Sequence, residues 1–347
     1  MNMKVSRLLI IFCFVLCAVL ALSGCQDPGQ PQEDLPPADA IAEDLGAPYP
    51  PDDLPPSNAS PAHTDFLWEV IGGQGRVYLM GTMHVVTRDY ALTPALLDIF
   101  DEMDAVALEV NMLDLTGLLD GFHYMYYSEG VTVLDNLSER GRTHLLNMIE
   151  AYGLDMAQVI ALRPFSLSSS FIGALLDKTD FTFIGVDMLL NMRAWERDMS
   201  IYVLEDFRDI YRNMNNLTYE TKERIMVLTI PPPEQAIEEL ENMYEMFLSG
   251  DLEWVYEFLF GEVDEPFLGG DGLPIEFTEV DERYEYYMLE HRDRIMANTI
   301  ISFLESGKNV FAAAGLAHFV GDNSIIYFLE EAGYKVVRVD LEQRMAA

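Results

Sequence analysis

The 347-residue chain is predicted to fold as an α/β domain around a central, mostly parallel sheet with a helical insertion. Three observations predict it. Strand-like and helix-like stretches alternate at both ends of residues 65–342. The strand-like stretches are short, continuous apolar runs, as buried parallel strands require. A Gly-x-x-His tetrad follows such a run twice, at Gly81–His84 and Gly315–His318, more than two hundred residues apart. Open α/β sheets place ligands just outside the carboxyl ends of their strands. Adjacent strands carrying the two tetrads would bring both imidazoles to one rim.

In chain order, residues 1–24 read as a secretory signal. Lys4 and Arg7 form a small positive region, Leu8–Leu22 is an apolar run, and Leu22-Ser23-Gly24-Cys25 follows. That tetrad resembles a bacterial lipobox, in which Cys25 becomes the acylated first residue. An uncleaved anchor, or a simple signal with an incidental cysteine, is the alternative. Composition then shifts over residues 25–64. Ten prolines, eight acidic residues and neither Lys nor Arg lie between Gln26 and Thr64, so the segment cannot build a core. It reads as an extended tether, reaching on the order of 100 Å at about 3 Å per residue.

The folded domain begins at Phe66. Phe66–Ile71 and Val77–Met80 flank Gly72-Gly73-Gln74-Gly75 and predict a β-hairpin. Thr93-Pro94 starts a helix, with threonine as cap and proline in the first turn, running to about Met103. Asp104–Val110, DAVALEV, is the next strand, with Glu109 at its carboxyl end. The helix between makes it a parallel neighbour of the first histidine strand. From Leu113 to about Lys178 the pattern is mostly helical, with amphipathic spacing in Leu137–Tyr152 and Phe165–Leu176. Phe181–Asp187 reads as a short strand, and Ile201–Leu204 as another ahead of Glu205. Helices continue to Phe260, broken at Pro231-Pro232-Pro233 and Ser249-Gly250-Asp251. Gly261–Pro274 is a loop or flap, and a long helix over Val280–Ser306 leads to the second histidine strand. A helix over Asn323–Ala332 and a strand over Lys335–Val339 close the chain. The helical middle, about 113–306, is expected to cover one end of the sheet.

His84, Glu109 and His318 all stand at predicted strand ends. Two neutral imidazoles and a carboxylate suit a divalent ion such as Zn²⁺, Mn²⁺ or Co²⁺. An ion with an open position gives a hydrolase that needs no nucleophilic side chain. The chain offers none: Cys13, Cys17 and Cys25 all precede the domain, and Ser166, Ser168, Ser169 and Ser170 lack a glycine-flanked elbow. Gly81 and Gly315 would let a substrate approach the backbone, and Asp187, after Gly185, is a further substrate-binding candidate. Each residue also has a plainer reading. A lone histidine can be hydrogen-bonded structure, Glu109 and Asp187 can cap helices or pair with bases, and Arg292 can be a solvated charge. The duplication of the tetrad favours function for the two histidines. No phosphate loop or dinucleotide glycine fingerprint occurs. A net charge of −37 disfavours nucleic acid and anionic lipid heads as partners. Beyond the signal, no stretch is long and apolar enough to span a bilayer.

Together YLMGTMHV, the glutamate of ALEV and VFAAAGLAHFVGDNSIIYFLEEAGYKVVRV resemble the TraB/GumN family, which includes the Tiki-type metalloproteases. Arg163-Pro164, Gly185–Asp187, Leu204-Glu205, Ser249-Gly250-Asp251-Leu252 and Arg292, Asp293, Met296 and Ala297 follow in the family's order. The resemblance covers about Phe66 to Val339. It implies a fold shared with erythromycin esterase-like and haem-uptake ChaN-like proteins and, as in Tiki-type members, metal-dependent peptide cleavage. By position, His84 and His318 become metal or catalytic histidines, Glu109 a ligand or general base, and Arg292 a charge stabiliser. The chain departs from the family where His291-Arg292-Asp293 replaces the usual Glu-Arg-Asn. The resulting expectation is an extracytoplasmic lipoprotein of a bacterial envelope that hydrolyses a peptide or other small substrate with a divalent metal. The alternative is a lipoprotein that binds a peptide, haem or small molecule without turnover.

Overall fold

The computed structural model describes residues 66–341, apart from 112, 115–120, 122 and 262–281. The signal, Cys25, the tether and most of Gly261–Pro274 lie outside the described residues. The strands are β1 (Leu67–Ile71), β2 (Val77–Thr82), β3 (Val86–Thr87), β4 (Ala105–Leu108), β5 (Phe181–Thr182), β6 (Ser200–Val203), β7 (Val310–Gly315) and β8 (Lys335–Arg338). Six of them form one sheet in the order β6–β4–β7–β2–β1–β8. β6, β4, β7 and β2 run parallel, while β1 runs against β2 and β8. Every residue of β2 and β4, and all but the last of β7, is buried. That explains their unbroken apolar sequences, since helices and turns cover both faces.

The helices are α1 (Pro94–Asp101), α2 (Glu139–Tyr152), α3 (Met156–Val159), α4 (Pro164–Leu176), α5 (Val186–Glu196), α6 (Phe207–Asn215), α7 (Tyr219–Thr229), α8 (Pro233–Ser249), α9 (Leu252–Phe260), α10 (Glu282–Met288), α11 (Glu290–Ser306) and α12 (Ile325–Glu331). α1 starts as its sequence dictates: Thr93 Oγ1 accepts from Leu96 N at 3.2 Å, and Pro94 fills the first position. Its Phe100 meets Phe311 of β7 edge-on at 5.1 Å, which fixes the helix over the sheet. α11 buries Met296, Ala297, Ile300, Phe303 and Leu304. None of the helices among the described residues is long and apolar enough to cross a membrane.

Four local expectations change. The sequence predicts β2 and β4 as neighbours, but β7 lies between them and pairs in parallel with both, Ala313 facing Met80 and Leu108. A crossover's handedness is constrained, but not the number of places it skips. The strand predicted over Phe181–Asp187 shrinks to Phe181–Thr182, which pairs with β3 in a separate two-stranded sheet. A helix takes over at Val186, where Gly185 as cap and Asp187 in the first turn favour a helix start. The long helix before β7 divides at Leu289 (φ −119°, ψ −85°) into α10 and α11. The helical middle is also not wholly separate from the sheet, because β6 within it pairs with β4.

Candidate active site at the carboxyl edge of the sheet

Four neighbouring parallel strands, β6, β4, β7 and β2, end along one edge. Each delivers a functional group at or just past its last residue. Glu205 follows the end of β6, and Glu109 follows β4. β7 stops at Gly315 and turns through a short 3₁₀ helix, Leu316–Phe319, which presents His318. β2 ends at Thr82, and His84 comes two residues later.

Gly185 lets α5 begin hard against the turn that carries His84. A first side-chain carbon there would lie 2.4 Å from the carbonyl carbon of His84, so only glycine fits. Val186 N donates to Met83 O at 2.9 Å, and the helix start brings Asp187 Oδ1 within 2.9 Å of His84 Nδ1. Burial opposes a charged imidazole. The close carboxylate of Asp187, with the charge of Glu109, outweighs it and holds the His84 pKa above its ordinary value.

His318 is fully buried, and its Nδ1 pairs with Asp293 Oδ1 of α11. Its Nε2 stands 3.9 Å from Glu109 Oε2. Burial, with the Arg292 guanidinium nearby, lowers His318 to about 3, while burial raises Asp293 well above the carboxylate range. Glu109 has both oxygens engaged. Oε2 accepts from Gly315 N at 3.0 Å, and Oε1 accepts from Arg292 Nη2. Burial alone would raise this carboxyl, but Arg292 and then the two histidines bring it down to about 2. It is therefore ionised across the physiological range.

Arg292 spans the middle of the cluster. Its Nε donates to Glu205 Oε1 at 2.8 Å and Oε2 at 3.1 Å, and its Nη1 to Met288 O at 3.3 Å. The end of β6 is pinned to the same helix, since Thr299 Oγ1 donates to Leu204 O at 3.0 Å. Glu205 is raised by burial despite its arginine partner.

Gly315 marks the centre. Its backbone (φ −50°, ψ 135°) suits any residue. A methyl group there would lie 3.4 Å from His84 Nε2, 3.6 Å from Glu109 Oε2 and 3.7 Å from His318 Cδ2. The three residues predicted as ligands thus face one small space. The His84 and Asp187 side chains are 11 % and 19 % exposed, against 3 % or less for Glu109, Arg292 and His318, so the space opens on the His84 flank.

The structure brings together His84, Glu109, Asp187, Arg292, Gly315 and His318. Gly81 stands apart: a side chain there would meet Leu316 Cδ1 at 2.5 Å, so its bareness serves the packing of the 3₁₀ turn. Asp187 is spent on His84 rather than turned to the open space. Glu205 and Asp293 join the site without having been singled out for chemistry. The signals were an acid directly after a strand, as with Glu109, and an acid beside Arg292.

The TraB/PrgY/gumN family profile matches residues 66–338. The chain belongs to the TraB/PrgY/gumN family. No curated protein and no solved structure matches it. The matched span contains both tetrads and every residue of the edge cluster.

The donors of this TraB/PrgY/gumN site, two imidazoles and a carboxylate, are of the kind that ligate divalent ions. Each histidine has its Nδ1 engaged by an aspartate, the arrangement that orients metal-ligating imidazoles. Glu109, Glu205 and Asp293 are buried together with Arg292, and Glu109 is held ionised beside it. Among the described residues, no group of three or more His, Cys, Asp or Glu side chains stands close enough together to hold a metal ion.

Proposed function

We propose that this chain is a metal-dependent hydrolase acting on peptides. One observation carries the reading. Two histidines from different strands, each held at Nδ1 by an aspartate, converge with Glu109 on the bare Cα of Gly315. His84 and His318 through Nε2, and Glu109 through Oε2, would hold a Mn²⁺, Co²⁺ or Zn²⁺ ion. When bound, the ion supplies Lewis acidity and a water that ionises near neutrality. Likeness of the motifs to Tiki-type members supports a peptide substrate, and the lipobox-like Leu22–Cys25 supports an extracytoplasmic, membrane-anchored location.

The chain's own residues have other tasks. Asp187 and Asp293 fix the orientation of the two rings. Glu109, held ionised far below neutrality, is a weak base and serves better as a ligand than as the general base its position suggests. Arg292 directs its donors at Glu205, Glu109 and the Met288 carbonyl, so it positions Glu109 rather than an oxyanion. Substrate enters from the His84–Asp187 flank.

Metal analysis of the purified protein, followed by peptide-library cleavage before and after chelation, tests this reading. We expect one transition-metal ion per chain and cleavage that is lost on chelation and restored by metal. His84→Ala and His318→Ala should each lower metal affinity sharply, with the double change adding little, because residues acting as one unit are non-additive. Additive stability losses with unchanged metal uptake would mark two structural histidines. Retention of a ligand without metal-restored cleavage would mark a binding lipoprotein instead.

A further inference from the structure

We infer that the Thr82 hydroxyl is the donor that meets the reacting carbonyl oxygen of the substrate; the inference rests on the hydrolase reading. Thr82 is the last residue of β2 and the register partner of Gly315 in parallel β7. Register partners in a parallel pair point their side chains to the same face, on strands about 4.8 Å apart. The face at Gly315 is the one crowded by His84, Glu109 and His318. The opposite face is identified by Gly81, whose missing side chain borders Leu316. Thr82 therefore stands one strand away from the central space, on its side of the sheet.

The hydroxyl is only partly explained by folding. Thr82 is 2 % exposed, and its Oγ1 is buried with no hydrogen-bond partner among the described residues. Leaving such a group unpaired costs about 1–3 kcal/mol. Valine has the same branched shape and strand preference without that penalty. A hydroxyl kept at this position at a cost to the fold is accounted for by a partner that arrives with the ligand. Arg292, the residue expected to stabilise an oxyanion, is committed to two carboxylates and a carbonyl. Thr82 is a neighbouring hydroxyl donor with no acceptor among the described residues. As water adds to the substrate's carbonyl carbon, the C=O electron pair moves onto oxygen, and the rotatable hydroxyl can follow that growing charge. Its proton stays on Thr82 throughout, and the amide C–N bond breaks with the amine leaving protonated at the expense of water.

The test compares the full-length protein with Thr82→Val and Thr82→Ser. Thr82→Val should melt at or above the parent temperature, while kcat for a cleaved peptide falls about 10–100-fold with little change in KM. Thr82→Ser should recover most of the rate. If the parent cleaves no peptide, the hydrolase reading fails on its own, and acetohydroxamate, titrated with and without Mn²⁺, reports on Thr82 separately. The parent should then bind that carbonyl probe about tenfold more tightly than Thr82→Val. A Thr82→Val melting point several degrees below the parent would overturn the inference. So would unchanged kcat, or, where no peptide is cleaved, equal acetohydroxamate affinity or no binding by either protein.

Discussion

Gly185 and Gly315 are both bare, for different reasons, and one methyl group separates them. At Gly315 the backbone is ordinary and a methyl would make only van der Waals contacts, at 3.4–3.7 Å. Gly315→Ala should therefore change stability by about 1 kcal/mol or less. It should nonetheless lower metal affinity at least about tenfold, because the methyl fills the space shared by His84, Glu109 and His318. At Gly185 the same methyl would press on the backbone of His84 at 2.4 Å, and overpacking of this kind costs about 1–3 kcal/mol. Urea unfolding and calorimetric metal titration read both variants, and parent-like metal binding by Gly315→Ala would mean that the three side chains do not share an ion. The same scale shows what was legible. The Gly-x-x-His tetrads at Gly81 and Gly315 stand out because each follows an apolar strand, whereas a third, Gly141–His144, lies inside α2. Glu205 and Asp293 do not, because acids are common in a chain of net charge −37 and nothing local marks the few that packing will bury.

Elements meet at the site through one ionic cluster, in which Arg292 of α11 joins the ends of β4 and β6. Taking out one member of a buried cluster strands the others. Arg292→Met should lose about 3–5 kcal/mol, since Glu109 and Glu205 would stay buried without their counter-charge. Adding Glu205→Gln should restore part of that loss instead of deepening it, by removing one of the stranded charges. Chemical denaturation of the single and double variants measures the coupling; simple additivity would show that the three groups do not act as a unit. Element order was less readable than element identity. Apolar runs and capping residues located β1, β2, β4, β7 and α1, because burial and local hydrogen bonds are written in short windows. That β7 slots between β2 and β4 depends on contacts across more than two hundred residues, which no local pattern encodes. The strand before Gly185 is cut to Phe181–Thr182 for a related reason: so short a run allows either state, and the start of α5 against the His84 turn decides where it ends.

For the whole molecule, the proposed membrane-anchored location raises the question of what would hold so acidic a domain there. With a net charge of −37, the chain is repelled by anionic lipid heads, so electrostatic attraction does not supply an anchor. None of the helices among the described residues can cross a bilayer. The proposed anchor is the amino terminus, where an apolar run ends in Leu22-Ser23-Gly24-Cys25 and a proline-rich acidic segment follows. One acyl chain gives only marginal binding, whereas a doubly or triply acylated cysteine holds firmly, by burying about 0.8 kcal/mol per methylene. Cys25→Ser should therefore move the protein from the membrane fraction to the soluble one without altering the melting temperature of the domain. The parent should stay bound in 1 M salt, because its attachment is apolar and screening over about 3 Å leaves it untouched. Release of the parent by salt would point to a charged partner on the membrane. A Cys25→Ser variant that sediments as strongly as the parent would place the anchor in the uncleaved apolar run, not in the cysteine.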